Sequence, residues 1–443
     1  MPEGQLKREL GLRDITLFTI TCIVGTRWIA AAAHAGPGSI TLWILAAVFF
    51  AVPLAIAVTA LTLRHPKAGG LYVWTREDFG PWNGFLCFFL YWIGIAIWFP
   101  SVAMFYMGAA LHALGVPETR PYLLGASLVA IWLALGTNLI GMKIGKWTEN
   151  IGGLSVWLVS ALFVILAALI WMKRGSATVL NPVPEWKWDT VNFWATIAYG
   201  MSGVEVIGLM GGEIRNPKRT IPRAGWIASA CLAVFYTTAT VAVLVLLPPS
   251  QISEMSGLAQ AGDEAASVLG LRWLGPAVAV LVVASGMGQL GGFGTSVSRL
   301  PFAAGADRLL PALFSRVHPR WGTPYASILA FGLVATFLLI AIQLGDTVRA
   351  AYQSLVSLMV ITGFLPYIYI FGSSWKSGHR ISALSGWAIT ALAILCSMVP
   401  AADITNVWLF EGKLAAGTLA TVAAAWLIYS RRSPPSSDPL PDT

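Results

Sequence analysis

Residues Ile20–Ala30 read I-T-C-I-V-G-T-R-W-I-A, and residues Ala198–Glu205 read A-Y-G-M-S-G-V-E. Both stretches lie inside long apolar runs, and each sets glycine beside a formal charge, Arg27 in one and Glu205 in the other. A charge at the centre of a bilayer costs at least about 2.5–3.5 kcal/mol, so it must face a partner or an aqueous cavity. Glycine at that depth lets the backbone leave helical geometry and approach a ligand closely. The two stretches therefore read as membrane helices broken near the midplane.

The composition supports a membrane reading throughout. Hydrophobic residues make up 57% of the 443 and charged residues 11%, against about 25% charged in a soluble domain. The mean hydropathy of +0.72 agrees. The fold class expected is an all-α polytopic membrane protein, which excludes most soluble enzymes. A helical span needs about 20 apolar residues, and Ile40–Leu63, Ile151–Met172 and Ala224–Leu247 supply this without a single charge. Twelve candidate transmembrane helices fall near 15–35, 40–63, 82–111, 121–141, 150–172, 190–212, 224–247, 273–298, 324–344, 347–372, 381–400 and 414–430. Cys22, Cys87, Cys231 and Cys396 all sit in apolar runs, which argues against a disulfide framework or a zinc site. Residues 1–14 are polar and lead straight into a hydrophobic segment without a cleavage signal, so the first span is expected to be retained.

The net charge of +8 looks at first like a nucleic-acid signal, but its placement is topological. With a cytoplasmic N-terminus, 20 of the 28 Lys and Arg residues fall in inside segments, 7 fall in outside loops, and Arg27 lies within a span. This bias places both termini in the cytoplasm of a cell-membrane protein and removes nucleic acid as a partner. The first and sixth spans share a weak register, Asp14, Phe18, Thr21 and Gly25 recurring as Asp189, Phe193, Thr196 and Gly200. Helices 1–5 followed by 6–10 is the organisation of transporters built from inverted repeats, whose broken first helices bind ligand at the midplane. The chain then divides into an N-terminal segment (1–14), a first repeat (15–172), a second (190–372), two extra helices (381–430) and a disordered tail (431–443).

After the sixth span, Gly211–Ala224 reads G-G-E-I-R-N-P-K-R-T-I-P-R-A. Three further stretches accompany it: P-K-A-G-G-L-Y-V-W with F-G-P-W-N-G-F across Pro66–Phe85, S-R-L-P-F-A-A-G-A-D-R-L-L-P from Ser298, and H-P-R-W-G-T-P from His318. Together these resemble the permeases of the amino acid–polyamine–organocation superfamily over nearly the whole chain. The wording R-W-I-A-A-A-A-H-A-G-P from Arg27 resembles the branch containing the glutamate–GABA antiporters and their relatives. The resemblance implies a five-plus-five inverted repeat plus two helices, and carriage of amino acids or their decarboxylated amines by exchange, proton coupling or sodium coupling. It also implies a substrate site at the breaks. In the family a Gly-Ser/Thr-Gly turn meets the substrate carboxylate, and here Ile23 and Val24 lead into Gly25 and Thr26, with Arg27 replacing the last glycine. In the sixth span an aromatic gate precedes Gly-x-Glu, which Tyr199, Gly200, Ser202, Gly203 and Glu205 match. Phe293 of Gly291-Gly292-Phe293 stands where a substrate side chain would stack, and Trp98 where the third span faces substrate.

Each of these residues also has a plainer reading. Trp98, Tyr199 and Phe293 are three of 51 aromatics, most of which pack or face lipid. Ser202, Ser354 and Ser357 can bond back to their own helices, and His34 can cap the first span rather than sense pH. Glu205 is either a proton carrier or a pin holding the sixth span. Arg27 has three candidate partners, the substrate carboxylate, Glu205 or backbone carbonyls freed by the breaks, and its plainer reading is that its stem reaches a polar pocket between helices. Pro248–Gly270 is expected to be an external loop with its own helix, and Ala68–Trp82 an interfacial helix. An intramembrane enzyme is disfavoured because neither H-E-x-x-H nor G-x-S-x-G occurs, and a channel because no charged ring or carbonyl filter is visible. No catalytic residue, metal or cofactor is expected. The fifth span carries no Lys or Arg that could stand in for a sodium ion, so exchange ranks first, proton symport second and sodium symport third.

Overall fold

A computed structural model of the chain describes residues 10–65, 69–140, 142–185, 187–188, 191–209, 214–306, 309–343, 347–401 and 404–431. Asp189, residues 211–213 of the sixth-span signature and the tail from 432 onward lie outside the described residues. Among the described residues the regular elements are helices, joined by one isolated parallel bridge between Leu10 and Ile214.

Among the described residues, ten helices are long and apolar enough to cross a membrane: Ser39–Arg64, Pro81–Ala113, Arg120–Ile140, Asn150–Arg174, Pro217–Leu246, Leu274–Phe302, Tyr325–Ile342, Val348–Lys376, Arg380–Ser397 and Val407–Ser430. Helices Leu12–Ile23 and Arg27–His34 form an eleventh span, bent by 48° at a short break. The sixth runs as Val191–Gly200 and Val206–Leu209, and its continuation falls outside the described residues. The described residues therefore do not complete the expected count of twelve. Several helices overrun their expected ends: the seventh begins at Pro217 and the eighth continues to Ala306. Proline at the first helical position of Pro217–Leu246 has no intrahelical partner to lose, so the helix starts there, ahead of the apolar run.

The third and tenth spans (Pro81–Ala113 and Val348–Lys376) form the centre, with 89% and 83% of their apolar windows buried. They pack along each other, and Gly94 lies so close to Gly363 that an added Cβ would stand 3.2 Å from its Cα. Such small-on-small contact is how membrane helices approach without a hydrophobic driving force between them. The twelfth span has only 17% of its window buried and is peripheral. Its Leu419, Trp426 and Leu427 are exposed on the outside of the bundle. Helices Leu71–Phe79 and Gly257–Leu269 occupy the two connections expected to carry short helices.

The first span runs from the face holding Leu10 toward the face holding His34. The sixth descends the opposite way, since Ile214 beyond it bridges back to Leu10. The two broken helices thus lie antiparallel with their breaks side by side.

Candidate substrate site

At the first break the helix ends on Val24, whose φ of −77° and ψ of 104° are extended, and resumes at Arg27. The groups it frees are met by neighbouring spans. The Tyr236 hydroxyl accepts from the Gly25 N–H at 2.9 Å and donates to the Ile23 carbonyl at 3.1 Å. Gln289 Nε2 donates to the Cys22 carbonyl at 3.3 Å and is itself held through its Oε1 by the Tyr106 hydroxyl at 3.2 Å. A buried backbone group without a partner would cost about 1–3 kcal/mol, so the break depends on these two side chains. The break packs tightly at Gly25, where a Cβ would lie 2.9 Å from Trp28 Nε1 and 3.1 Å from Gln289 Nε2, so any larger residue must displace those side chains.

At the second break Gly203 has φ +109°, which only glycine adopts without strain. A Cβ on it would also lie 2.3 Å from Ile23 Cγ2, so the two breaks touch. Glu205 follows, 1% exposed. Its Oε2 accepts from the Gly203 N–H at 3.0 Å, and its Oε1 accepts from the hydroxyls of Tyr91 at 3.1 Å and Tyr367 at 2.8 Å. Glu205 is thus a clasp joining the sixth, third and tenth spans, and the pairing with Arg27 considered from sequence does not form.

Between the breaks lies a cavity of ≈ 40 Å³. Of the residues named from the sequence, Ile23, Trp98, Tyr199, Gly200, Ser202, Gly203, Glu205 and Phe293 line it. Trp98 and Phe293 form one wall, ring centroids 4.6 Å apart; Tyr199 stands opposite with Trp28, centroids 5.9 Å apart. Cys22, Trp28, Tyr91, Ile95 and Gln289 complete the lining and were missed. Three of them had a signal: Gln289 is a lone amide in an apolar run four residues before Phe293, and Tyr91 and Ile95 precede the expected Trp98 at i, i+4, i+7 spacing.

Four expected residues do not line the cavity. Val24 and Gly25 are outside its lining, the Gly25 N–H being held by Tyr236; Thr26 is turned to Tyr106, 3.2 Å away, and Ser285, 3.4 Å away. Arg27 points past Trp28, its guanidinium 4.0 Å from that ring's centroid, and donates to Ser101 Oγ at 2.6 Å and Met359 Sδ at 3.2 Å. The cause is the break: Arg27 begins a new helix whose phase is independent of the first. Ser202 and Ser354 bond back to the Tyr199 and Ala350 carbonyls, while Ser357 instead accepts from Asn192 Nδ2 at 3.1 Å. His34 Nδ1 meets the Ile252 carbonyl at 2.7 Å and pins the 248–256 connection to the first span.

A family profile described as amino acid permease matches residues 10–428. An uncharacterized transporter of Legionella pneumophila is 27% identical, covering 96% of this chain and 97% of its own. A probable agmatine/putrescine antiporter of Lactococcus lactis is 25% identical, over 83% of this chain and 80% of its own. The serine/threonine exchanger of Bacillus subtilis is 24% identical, over 85% and 86% respectively.

Proposed function

The chain belongs to the amino acid permease family, and from that premise we propose that it exchanges amino acids or related amines across the cell membrane by alternating access. It is a multi-pass membrane transporter and not an enzyme. The observation that carries alternating access at this site is the cavity of ≈ 40 Å³ shared by two broken spans. That volume admits only about one to three waters, so this is a closed state in which substrate entry must move the surrounding rings. Toward the N-terminal face it is shut by the Glu205–Tyr91–Tyr367 clasp, and on the other side by Trp28. Releasing one barrier while the other holds exposes the site to one side at a time. Residues 15–172 and 190–372 act as the inverted repeats, with both termini in the cytoplasm. The relatives named as an antiporter and an exchanger favour exchange over symport.

Counterflow tests this directly. Liposomes holding the purified protein and loaded with one amino acid or amine should accumulate labelled external substrate only when the interior is loaded. Uptake into empty vesicles that is driven equally well by a proton or sodium gradient would replace exchange with symport.

A further inference from the structure

Arg27 is 2% exposed at membrane depth, yet only two of its donors are matched, one of them to a thioether, a weak acceptor. Its Nε has no partner, and no ion pair to Arg27 occurs among the described residues. A guanidinium cannot shed its proton to lower the cost of burial, so the fold leaves a cation with unused donors inside the protein. Arg27 lines a second small cavity, ≈ 10 Å³, whose walls include Asn192, Tyr352 and Glu254. Trp28 is the one side chain that lines both this cavity and the central one. A rotation of that ring would join the two spaces, and neither alone holds more than a few waters.

The joined chamber would be dipolar at its Arg27 end. Arg27 forms one wall and Glu254 another, the carboxylate accepting from Gln353 Nε2 at 2.8 Å. A carboxylate and an ammonium on the same carbon complement that pair, and the planar fork of Arg27 suits the carboxylate in particular. A substrate bound this way would leave its side chain in the central cavity, against the wall formed by Trp98 and Phe293.

We propose that Arg27 is the carboxylate-recognising residue of a second subsite beyond Trp28, and that it makes this protein select amino acids over their decarboxylated amines. The substrate class rests on the exchange reading; the binding test does not. The probes are matched pairs: serine and ethanolamine, arginine and agmatine, glutamate and γ-aminobutyrate. Binding is read by thermal shift on purified protein and exchange by competition in counterflow. Wild type should bind the amino acid of its preferred pair roughly 10- to 100-fold more tightly than the amine, as expected for a lost charge-assisted bond. Arg27→Gln should remove that ratio by weakening the amino acid alone. Arg27→Lys, which keeps the cation without the fork, should fall between them and serves if the glutamine variant does not fold. A wild type that binds amines as tightly as amino acids, or a ratio that survives both substitutions, overturns the proposal. Binding with the expected ratio but no counterflow would leave Arg27 in its role and refute exchange instead.

Discussion

Replacing Glu205 by glutamine and by alanine should separate what its shape does from what its charge does. Three donors converge on the carboxylate: the Gly203 N–H on Oε2, and the Tyr91 and Tyr367 hydroxyls on Oε1. Glutamine can keep all three contacts by turning its carbonyl to the Gly203 N–H and donating its amide hydrogens to the two hydroxyls, which can act as acceptors. It loses the charge assistance, about 1 kcal/mol per bond, but is also less costly to bury. The expected net loss is about 1–2 kcal/mol. Alanine orphans the Gly203 N–H at about 1–3 kcal/mol and frees two buried hydroxyls at about 1 kcal/mol each, for a total of roughly 3–5 kcal/mol. Because the Gly203 backbone cannot relocate, part of that penalty should appear as a loosened break. Thermal unfolding of the purified protein should rank wild type first, then Glu205→Gln, then Glu205→Ala. Counterflow should persist in the glutamine variant and collapse in the alanine variant, whose barrier toward the N-terminal face no longer closes. Equal melting temperatures and equal exchange for the two variants would show that the clasp does not hold the sixth span.

Four other substitutions, two of them paired, probe the breaks and the cavity wall. Gly203→Ala should destabilise by at least about 1–3 kcal/mol from its φ of +109°, and pairing it with Ile23→Ala should recover only the steric part; full recovery by the double variant, measured by thermal shift, would mean backbone strain is unimportant there. Tyr236→Phe removes the partner of both the Gly25 N–H and the Ile23 carbonyl, so a loss of about 2–4 kcal/mol and a large fall in exchange are expected; wild-type counterflow would show that the first break supports itself. Phe293→Ala should weaken bulky substrates more than glycine or alanine, because Phe293 packs against Trp98 in the cavity wall; equal losses across a substrate panel would identify a packing defect.

The all-helical membrane fold was legible because burying charge and backbone in lipid is so costly that composition alone selects it. The positions of both breaks were legible for the same reason: Gly25 beside Arg27 and Gly203 beside Glu205 are too costly in an unbroken, lipid-facing helix. Trp98, Tyr199 and Phe293 were named through the family resemblance, by their place in its motifs, and they meet at one level of the packed helices. Side-chain direction was not legible. Trp28, one residue after Arg27, faces the central cavity while Arg27 turns toward Ser101 and Met359. The angle around the axis at which a helix resumes after a break is set by the dihedrals of Val24 to Thr26 and by what the neighbouring spans offer. Tyr236 and Gln289, more than 200 residues away in sequence, are what hold that angle in place. Local sequence determines that a helix must break and at what depth; only the packed neighbours determine which way its side chains then point.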